Sequence, residues 1–267
     1  MNSFRREPAQ VSVKDSIKDI LYSVYEQRVS HSLERNRLPR HVGVILDGNR
    51  RWAKTIGASA AHGHRKGADK ISEFLSWCDE AGIELVTLWL LSTENMKRDA
   101  KEIDDLVEII VSTVESLAHV GHWRLHHVGD LKVLSEEHQE RLVTAIESTT
   151  DSNGALVNVA VGYGGRSEIT EAVREFILTK AEEGLEPEQI AAAVSDEEIE
   201  AHLYTRGQPD PDLVIRTSGE QRLSGFMPWQ TVHSEYYFCE AYWPDFRRTD
   251  FLRALRDYEA RDRRRGK

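Results

Sequence analysis

The sequence lacks the features of a secreted, disulfide-linked or membrane-spanning protein. Its 267 residues include two cysteines, Cys78 and Cys239, which excludes a disulfide framework and gives no metal-site spacing. No apolar run approaches the ~20 residues of a membrane span, and the first ten residues contain no apolar core of a secretory signal. These absences favour a protein of the reducing cytoplasm.

The sequence also lacks an excess of positive charge and the common phosphate-binding motifs. Its net charge of -10 disfavours a general nucleic-acid binder. Neither the pattern G-x-x-x-x-G-K-[ST] nor the pattern G-x-G-x-x-G occurs. The arginines that are present are clustered locally, and those clusters are more informative than the net charge.

Apolar runs alternate with amphipathic stretches along most of the chain. The runs predict strands at 42–46, 83–91, 123–128, 155–161, 212–215 and 236–241. Helical periodicity predicts helices at 65–80, 99–119, 135–149, 167–183, 187–204 and 248–263. This alternation predicts an α/β fold with one domain, in which a six-stranded, mostly parallel sheet is surrounded by helices.

A separate helical extension is predicted at the N-terminus. Helical spacing of apolar residues over 13–38 indicates a helix that Pro39 ends. We therefore divide the chain into an extension at 1–38 and a catalytic domain at 39–267. The sequence leaves open whether the extension packs on this domain or on a partner.

Arginine follows four of the six predicted strands, beside glycine, asparagine or small hydroxyl residues, in the segments 47–52, 92–98, 162–166 and 216–225. Ligands of open α/β sheets bind at the carboxyl ends of the strands. Arginine presents a fork of donors that matches phosphate oxygens, and glycine allows the backbone to approach an anion closely. An acid among these cations, Asp47, suits a divalent metal, because Mg²⁺ binds one or two carboxylates together with phosphate oxygens. We predict a phosphate site with room for two polyanions.

Four segments of the sequence resemble the cis-prenyltransferases, the undecaprenyl diphosphate synthase family. They are HVGVILDGNRRWAK, LSTENMKR, VNVAVGYGGR and DLVIRTSGEQRLSGFMPWQTVHSEYYFCEAYWPDF. Within the family, the sequence most resembles the short-chain Z-isoprenyl diphosphate synthases. The resemblance implies a Mg²⁺-dependent homodimer that condenses isopentenyl diphosphate with an allylic diphosphate in cis geometry. The expected reaction joins geranyl and isopentenyl diphosphate to give (2Z,6E)-farnesyl diphosphate.

The resemblance also implies roles for individual residues. Asp47 matches the aspartate that binds metal and helps the allylic diphosphate leave, and Glu235 matches a second metal carboxylate. Asn95 matches a residue of the proton-removal step, and the released diphosphate stays open as the proton acceptor. The matched substrate-binding positions are Gly48, Asn49, Arg50, Arg51, Trp52, Ala60, His64, Ser92, Thr93, Glu94, Arg98, Arg216, Arg222, Leu223 and Ser224.

Some positions depart from the pattern of the long-chain members. Ala60 stands where those enzymes usually have an arginine, Met96 where many have tryptophan, and Gln221 where histidine is frequent. Leu90 stands where long-chain enzymes usually have alanine. A bulky side chain on the wall of a close-packed tunnel would limit product length. The alternative is that Leu90 is a plain core residue.

Three alternative functions make different demands on the sequence. A long-chain polyprenyl diphosphate synthase, with farnesyl diphosphate as allylic substrate, differs only in product length. A non-catalytic partner subunit of the same fold would lack the equivalent of Asp47, which is present here. An unrelated α/β phosphatase or nucleotide-binding module would need a nucleophile or a ribose-binding acid, and the sequence offers neither. We expect no nucleic-acid partner, and a peripheral contact with a membrane stays open.

Overall fold

The fold is built on one sheet. The computed structural model describes residues 26–261. Six strands lie in the order β3-β4-β2-β1-β5-β6, and all five neighbouring pairs are parallel. The strands are β1 (His41–Ile45), β2 (Leu85–Ser92), β3 (Arg124–Val128), β4 (Leu156–Tyr163), β5 (Leu213–Arg216) and β6 (Glu235–Phe238). The predicted α/β fold is confirmed, and the sheet is parallel throughout rather than mostly parallel.

Eight α-helices between residues 49 and 260 surround this sheet. They are α1 (Asn49–Thr55), α2 (Ala60–Ala81), α3 (Ala100–Val120), α4 (Glu136–Glu147), α5 (Gly165–Glu182), α6 (Pro187–Ala193), α7 (Asp196–Glu200) and α8 (Arg248–Ala260).

The helices differ from the sequence-based expectation in two places. The single helix expected at 187–204 is two short helices, because Ser195 caps a new helix by accepting a hydrogen bond from the backbone N–H of Glu198. Helix α2 begins five residues before the predicted start, where Ser59 caps it in the same way.

The central strands β1, β2, β4 and β5 are largely buried and mostly apolar because the sheet is covered on both faces, whereas the edge strands β3 and β6 are partly exposed. On one face, helices α2, α3, α4 and α8 pack against the sheet. Val44 and Leu88 of the sheet meet Phe74, Leu142 and Leu255 there in the main core. This core anchors the helices that border the strand ends.

The second face has a smaller core covered by the chain between β5 and β6. Ile45, Ala160 and Val214 of the sheet pack against Phe226 and Met227. The segment that follows β5 is therefore held over the sheet rather than projecting into solvent.

A chain of buried polar groups crosses this second face. The Nδ1–H of His41 donates to the carbonyl of Pro209 at 2.7 Å, and the hydroxyl of Thr87 lies 2.8 Å from Nε2 of the same ring. Asn158 donates to Thr87 at 3.0 Å and exchanges amide hydrogen bonds with Gln208. Burial lowers the pKa of His41 to about 4, so the ring is neutral at neutral pH.

Strand β2 contains a bulge near its carboxyl end. Trp89 pairs with Ala160 and Leu91 pairs with Val161, so that Leu90 has no partner on β4. A bulge bends its strand and redirects the side chain at the extra position. The Leu90 side chain faces helices α2 and α3.

The predicted helix at 13–38 lies partly outside the described residues. Residues 26–32 are helical, and Arg35–Arg37 form a single 3-10 turn, so the described helix ends before Leu33.

The described part of the extension packs on α8 of the same chain. The hydroxyl of Thr249 donates to Glu26 at 3.0 Å, and the backbone N–H of Glu34 donates to Glu259 at 2.6 Å. Val29 is buried in this contact region. Between residues 26 and 261, no helix is both long and apolar enough to cross a membrane.

Candidate active site

A large cleft lies at the edge of the sheet where the parallel strands end. Its volume is about 620 Å³. Its walls come from the carboxyl ends of β1, β2 and β5 and from α1, α2 and α3. Among the predicted site residues, those on its walls are Asp47, Gly48, Asn49, Arg50, Arg51, His64, Leu90, Ser92, Glu94, Asn95, Arg98, Arg216, Arg222 and Ser224.

Asp47 follows β1 directly, and its backbone is held by the side chain of Thr217, which follows the neighbouring strand β5. The hydroxyl of Thr217 accepts a hydrogen bond from the Asp47 N–H at 2.9 Å and donates to the Asp47 carbonyl at 2.6 Å. Gly48 then turns the chain into α1 with φ of +105°, a conformation that favours glycine. A side chain at Gly48 would also collide with Tyr242. The carboxylate is thus fixed at the base of the cleft.

Two arginines neutralise the Asp47 carboxylate. Oδ2 lies 2.8 Å from Nη2 of Arg216 and 3.3 Å from Nη2 of Arg51. Partial burial raises the pKa of Asp47, but the hydrogen bond from Arg216 and the charges of both arginines outweigh it and lower the pKa below its ordinary value. Asp47 is therefore ionised at neutral pH, as a metal ligand must be.

Arg216 is buried, with 4% of its surface exposed, and it links the two sides of the site. Besides Asp47, its guanidinium donates to the hydroxyl of Ser224 at 2.8 Å and to the carbonyl of Arg222. The cation thereby fixes the loop that carries Arg222 relative to the end of β1.

The short helix α1 directs two adjacent arginines to different walls. Successive helical residues point about 100° apart, so Arg50 and Arg51 cannot share a partner side by side. Arg50 pairs with Glu102 of α3 at 3.3 Å, and Arg51 pairs with Glu220 of the loop after β5 at 2.9 Å. One helical turn therefore contributes a cation to each of two subsites.

The cations of the cleft form two groups, each joined by its own glutamate. Glu102 joins Arg50 to Arg98, which it meets at 3.2 Å. Glu220 joins Arg51 to Arg222. Three carboxylates, those of Asp47, Glu102 and Glu220, thus pair with five guanidinium groups, those of Arg50, Arg51, Arg98, Arg216 and Arg222. The excess of positive charge and the separation into two groups suit two phosphorylated ligands.

Asn95 lies on the cleft wall and is held by hydrogen bonds with Ser92. The side-chain Oδ1 of Asn95 accepts from the backbone N–H of Ser92 at 3.2 Å, and the backbone N–H of Asn95 donates to the Ser92 hydroxyl at 3.1 Å. An amide oxygen has two lone pairs, so the Asn95 side chain can still accept from a ligand as well as donate to one, but an amide is a weak base.

Several buried polar atoms at the cleft have no protein partner. They are Oδ1 of Asn49, Nε2 of His64 and Nε of Arg216. Buried polar groups ordinarily form hydrogen bonds, so these atoms are candidates for contact with a ligand or water. Burial and the nearby charge of Arg98 lower the pKa of His64 to about 4, so His64 offers a neutral ring at neutral pH.

The cleft continues into a small apolar pocket between β2, α2 and α3. This pocket measures about 40 Å³, room for about three water-sized probes. Leu90 and Leu106 line both the cleft and the pocket, and Ile71, Ile110 and Trp243 line the pocket beyond them. An apolar tail attached to a bound phosphate group would enter at this point, and Leu90 lies at the passage.

Comparison with known proteins places the chain in a family. Residues 45–266 match the prenyltransferase family model described as "Putative undecaprenyl diphosphate synthase". The match covers most of the sequence and includes the whole cleft. The chain belongs to this family, the cis-prenyltransferases.

Individual relatives are similar over nearly their whole length. The sequence is 55% identical to isoprenyl transferase 1 of Streptomyces avermitilis, over 96% of this chain and 100% of the relative. It is 54% identical to a (2Z,6E)-farnesyl diphosphate synthase of Mycolicibacterium smegmatis, over 94% of this chain and 97% of the relative. The crystal structure of lavandulyl diphosphate synthase from Lavandula x intermedia in complex with dimethylallyl diphosphate is also similar. Its TM-score is 0.78 at 36% identity, covering 85% of this chain and 98% of that one.

Four predicted substrate-binding residues of this cis-prenyltransferase do not line the cleft. Trp52 stacks on His62 with ring centroids 5.9 Å apart, and Ala60 is the first residue of α2. The backbone N–H of Thr93 donates to Tyr163 at 3.1 Å, and Leu223 packs into the smaller core. Their substrate contacts stay predictions.

Glu235, the predicted second metal ligand, lies away from Asp47 within one chain. It begins β6 opposite Leu213, whereas Asp47 follows the other end of β1. Glu235 pairs instead with Arg261. The structure therefore does not bring the two predicted metal carboxylates together in one chain.

The glycine-rich segment after β4 does not join the cleft. In the strand order, β2 separates β4 from β1, and Arg166 is not among the lining residues. Gly164 and Gly165 pack against Thr93 and Pro228, where side chains would collide. These glycines allow the loops to approach closely, and the expectation that Arg166 joins the phosphate site was wrong.

Sequence reasoning missed several residues that shape the site. Glu102 and Glu220 carry the counter-charges, and Thr217 holds Asp47, yet none stands out in the sequence. Gly63 and Gly67 lie one helical turn apart on α2, and a side chain at either would collide with Asn49. These two glycines let α1 pack tightly against α2. Their four-residue spacing was the one signal in the sequence that could have indicated this close approach.

Proposed function

We propose that this cis-prenyltransferase condenses geranyl diphosphate with isopentenyl diphosphate to give (2Z,6E)-farnesyl diphosphate and diphosphate. The observation that carries the proposal is the pair of arginine groups that share the cleft with Asp47, beside a small apolar pocket. Two cation groups suit two diphosphates, and the small apolar pocket suits the far end of one prenyl tail, whose remainder lies in the cleft. The name of the Mycolicibacterium smegmatis relative supports the same product.

In the first step, the bond between the allylic carbon and its diphosphate oxygen breaks. The electron pair stays on the diphosphate, where negative charge builds. Arg50 and Arg98 are already in place to stabilise that charge, and preorganised donors are the most effective kind.

In the second step, the alkene of isopentenyl diphosphate attacks the allylic carbon and forms the new carbon–carbon bond. Arg222 and Ser224, fixed by Arg216, hold its diphosphate in line, which is chiefly a positioning effect. The resulting cation loses a proton to restore a double bond. We assign that proton to the released diphosphate, since the amide of Asn95 is a weak base.

Mg²⁺ is part of the proposal, with Asp47 as its protein ligand. Among residues 26–261, no three His, Cys, Asp or Glu side chains are grouped to hold a metal alone. One ionised carboxylate facing a diphosphate site nevertheless fits Mg²⁺, which commonly shares its coordination between one carboxylate, substrate phosphates and water. Bound there, the ion would supply charge neutralisation for the leaving diphosphate.

A homodimer in the cytoplasm is also proposed. Strand β6 lies at the end of the sheet, and Phe238 on it is 37% exposed, while nearby Val232 is 69% exposed. An exposed edge strand with apolar side chains is suited to pairing with a second copy. Cys78 and Cys239 are unpaired and buried, which fits a reducing compartment.

Incubation with labelled isopentenyl diphosphate and Mg²⁺ tests this function. Geranyl, farnesyl and geranylgeranyl diphosphate are supplied separately, and the products are separated by chain length and double-bond geometry. We expect incorporation of one unit into geranyl diphosphate with a new cis bond. Incorporation with none of the three would refute the function, and long polyprenyl products would assign the enzyme to the long-chain group.

A further inference from the structure

Glu220 lies in the cleft between two arginines that face the proposed diphosphates. Its Oε1 is 2.9 Å from Nη1 of Arg51, and its Oε2 pairs with Arg222. Arg51 belongs to α1 and Arg222 to the loop after β5, so one carboxylate connects two walls of the cleft. Arginine binds carboxylate and phosphate oxygens with the same fork of donors. Glu220 therefore occupies donors that a diphosphate would use.

The position of Glu220 in the fold allows its carboxylate to leave. It follows Ser218 and Gly219, whose φ angles are +78° and +73°, in a loop rather than in a helix or strand. Its side chain is 26% exposed, so solvent is within reach of the carboxylate. Loops change conformation more readily than the elements they connect.

Glu102, the counterpart in the other arginine group, is placed differently. It lies in the first turn of the 21-residue helix α3, where Asp99 caps the helix through the N–H groups of Lys101 and Glu102. Its backbone cannot move without breaking that helix start. Of the two bridging carboxylates, Glu220 is the one that the fold leaves able to swing away.

We propose that Glu220 is a displaceable internal anion that competes with diphosphate for Arg51 and Arg222. This inference rests on the proposed function, because it requires a diphosphate in the cleft. A bound diphosphate takes over both guanidinium groups, and Glu220 turns to solvent. When a diphosphate leaves, Glu220 pairs with the arginines again, which weakens binding and speeds release.

The test measures binding of inorganic diphosphate and of isopentenyl diphosphate to the full chain. Glu220→Gln keeps the shape of the side chain and removes its charge. We expect the Kd of inorganic diphosphate to fall about three- to tenfold, the range expected when two partly exposed ion pairs no longer compete. The change should appear as slower dissociation in stopped-flow fluorescence, which Trp89 on the cleft wall can report.

Glu240→Gln is the matched control. Glu240 is exposed beside Gly219 and lines no part of the cleft, so its substitution removes one negative charge near the same loop. We expect the Kd of inorganic diphosphate for Glu240→Gln to equal that of the wild type within twofold. An equal fall in both variants would show a general charge effect and overturn the proposal.

The opposite result has a clear meaning. If Glu220 merely holds the two arginines in place for the ligand, Glu220→Gln binds diphosphate more weakly, and unchanged affinity likewise overturns the inference. Should the glutamine variant fail to fold, Glu220→Asp replaces it, since one methylene less prevents a bridge to both arginines and should also tighten binding. A wild type that binds neither ligand refutes the proposed function, whereas binding that Glu220→Gln does not tighten refutes this inference alone.

Discussion

Replacing Leu90 by alanine should lengthen the product. Leu90 lies between the cleft and the small apolar pocket, and the substitution removes three carbon atoms from that passage. If a longer tail fills the vacated space, it gains about 0.8 kcal/mol per buried methylene, or about 2.4 kcal/mol in all. Since each 1.4 kcal/mol is a factor of ten, the ratio of longer to farnesyl-length product should rise on the order of 50-fold.

The assay follows labelled isopentenyl diphosphate into products separated by chain length, with geranyl diphosphate as starter. Leu91→Ala is the control, because Leu91 is fully buried but lines neither the cleft nor the pocket. It should lose about 2–5 kcal/mol of stability and keep the wild-type product. A folded Leu90→Ala enzyme with unchanged product, or the same elongation in Leu91→Ala, would refute this explanation. So would a wild type that already makes long-chain polyprenyl products.

Three further predictions concern the site and its support. Asp47→Asn should lower kcat about 10²–10³-fold without a change in circular dichroism, because the charge is lost and the shape kept; activity within tenfold of wild type would exclude Asp47 from catalysis. Thr217→Val should lower both the free energy of unfolding, by about 1–3 kcal/mol, and kcat, because the backbone of Asp47 loses its partner. Thr217→Ser should restore both, and a loss of stability alone would mean that Thr217 does not position Asp47. The free energy of unfolding should rise between pH 4 and about 6.5 by about 3 kcal/mol through His41, whose pKa in the folded protein is about 4. The unfolded state binds the extra proton in that window, so acid destabilises the fold; urea midpoints for wild type and His41→Gln check this, and identical slopes would contradict it.

The main elements and the base of the site could be predicted from the sequence. The apolar run before Asp47 marks a buried strand, and the change to Gly, Asn and Arg marks its carboxyl end, where the structure places the cleft. Helix α1 was not predicted, because seven residues are too few for a helical period to show.

The order of the strands could not be read from the chain. Local clusters of arginine look alike in sequence, but β4 lies on the far side of β2 from the cleft, which separates Arg166 from the other arginines. The partners of those arginines were equally hidden. Glutamate is common on solvated helices and loops, so Glu102 and Glu220 become visible only when the fold brings α1, α3 and the loop after β5 together.

The bulge at Leu90 allows product length to change independently of the reaction chemistry. Because Leu90 has no partner in the strand register, its side chain can change size without disturbing the pairing of β2 with β4. Most arginines of the cleft lie on α1 and on the end of β5 with its following loop, away from this position. Evolution could therefore adjust product length at this single position while the reaction chemistry stays the same, and related enzymes of different product length could arise from one ancestor by few substitutions.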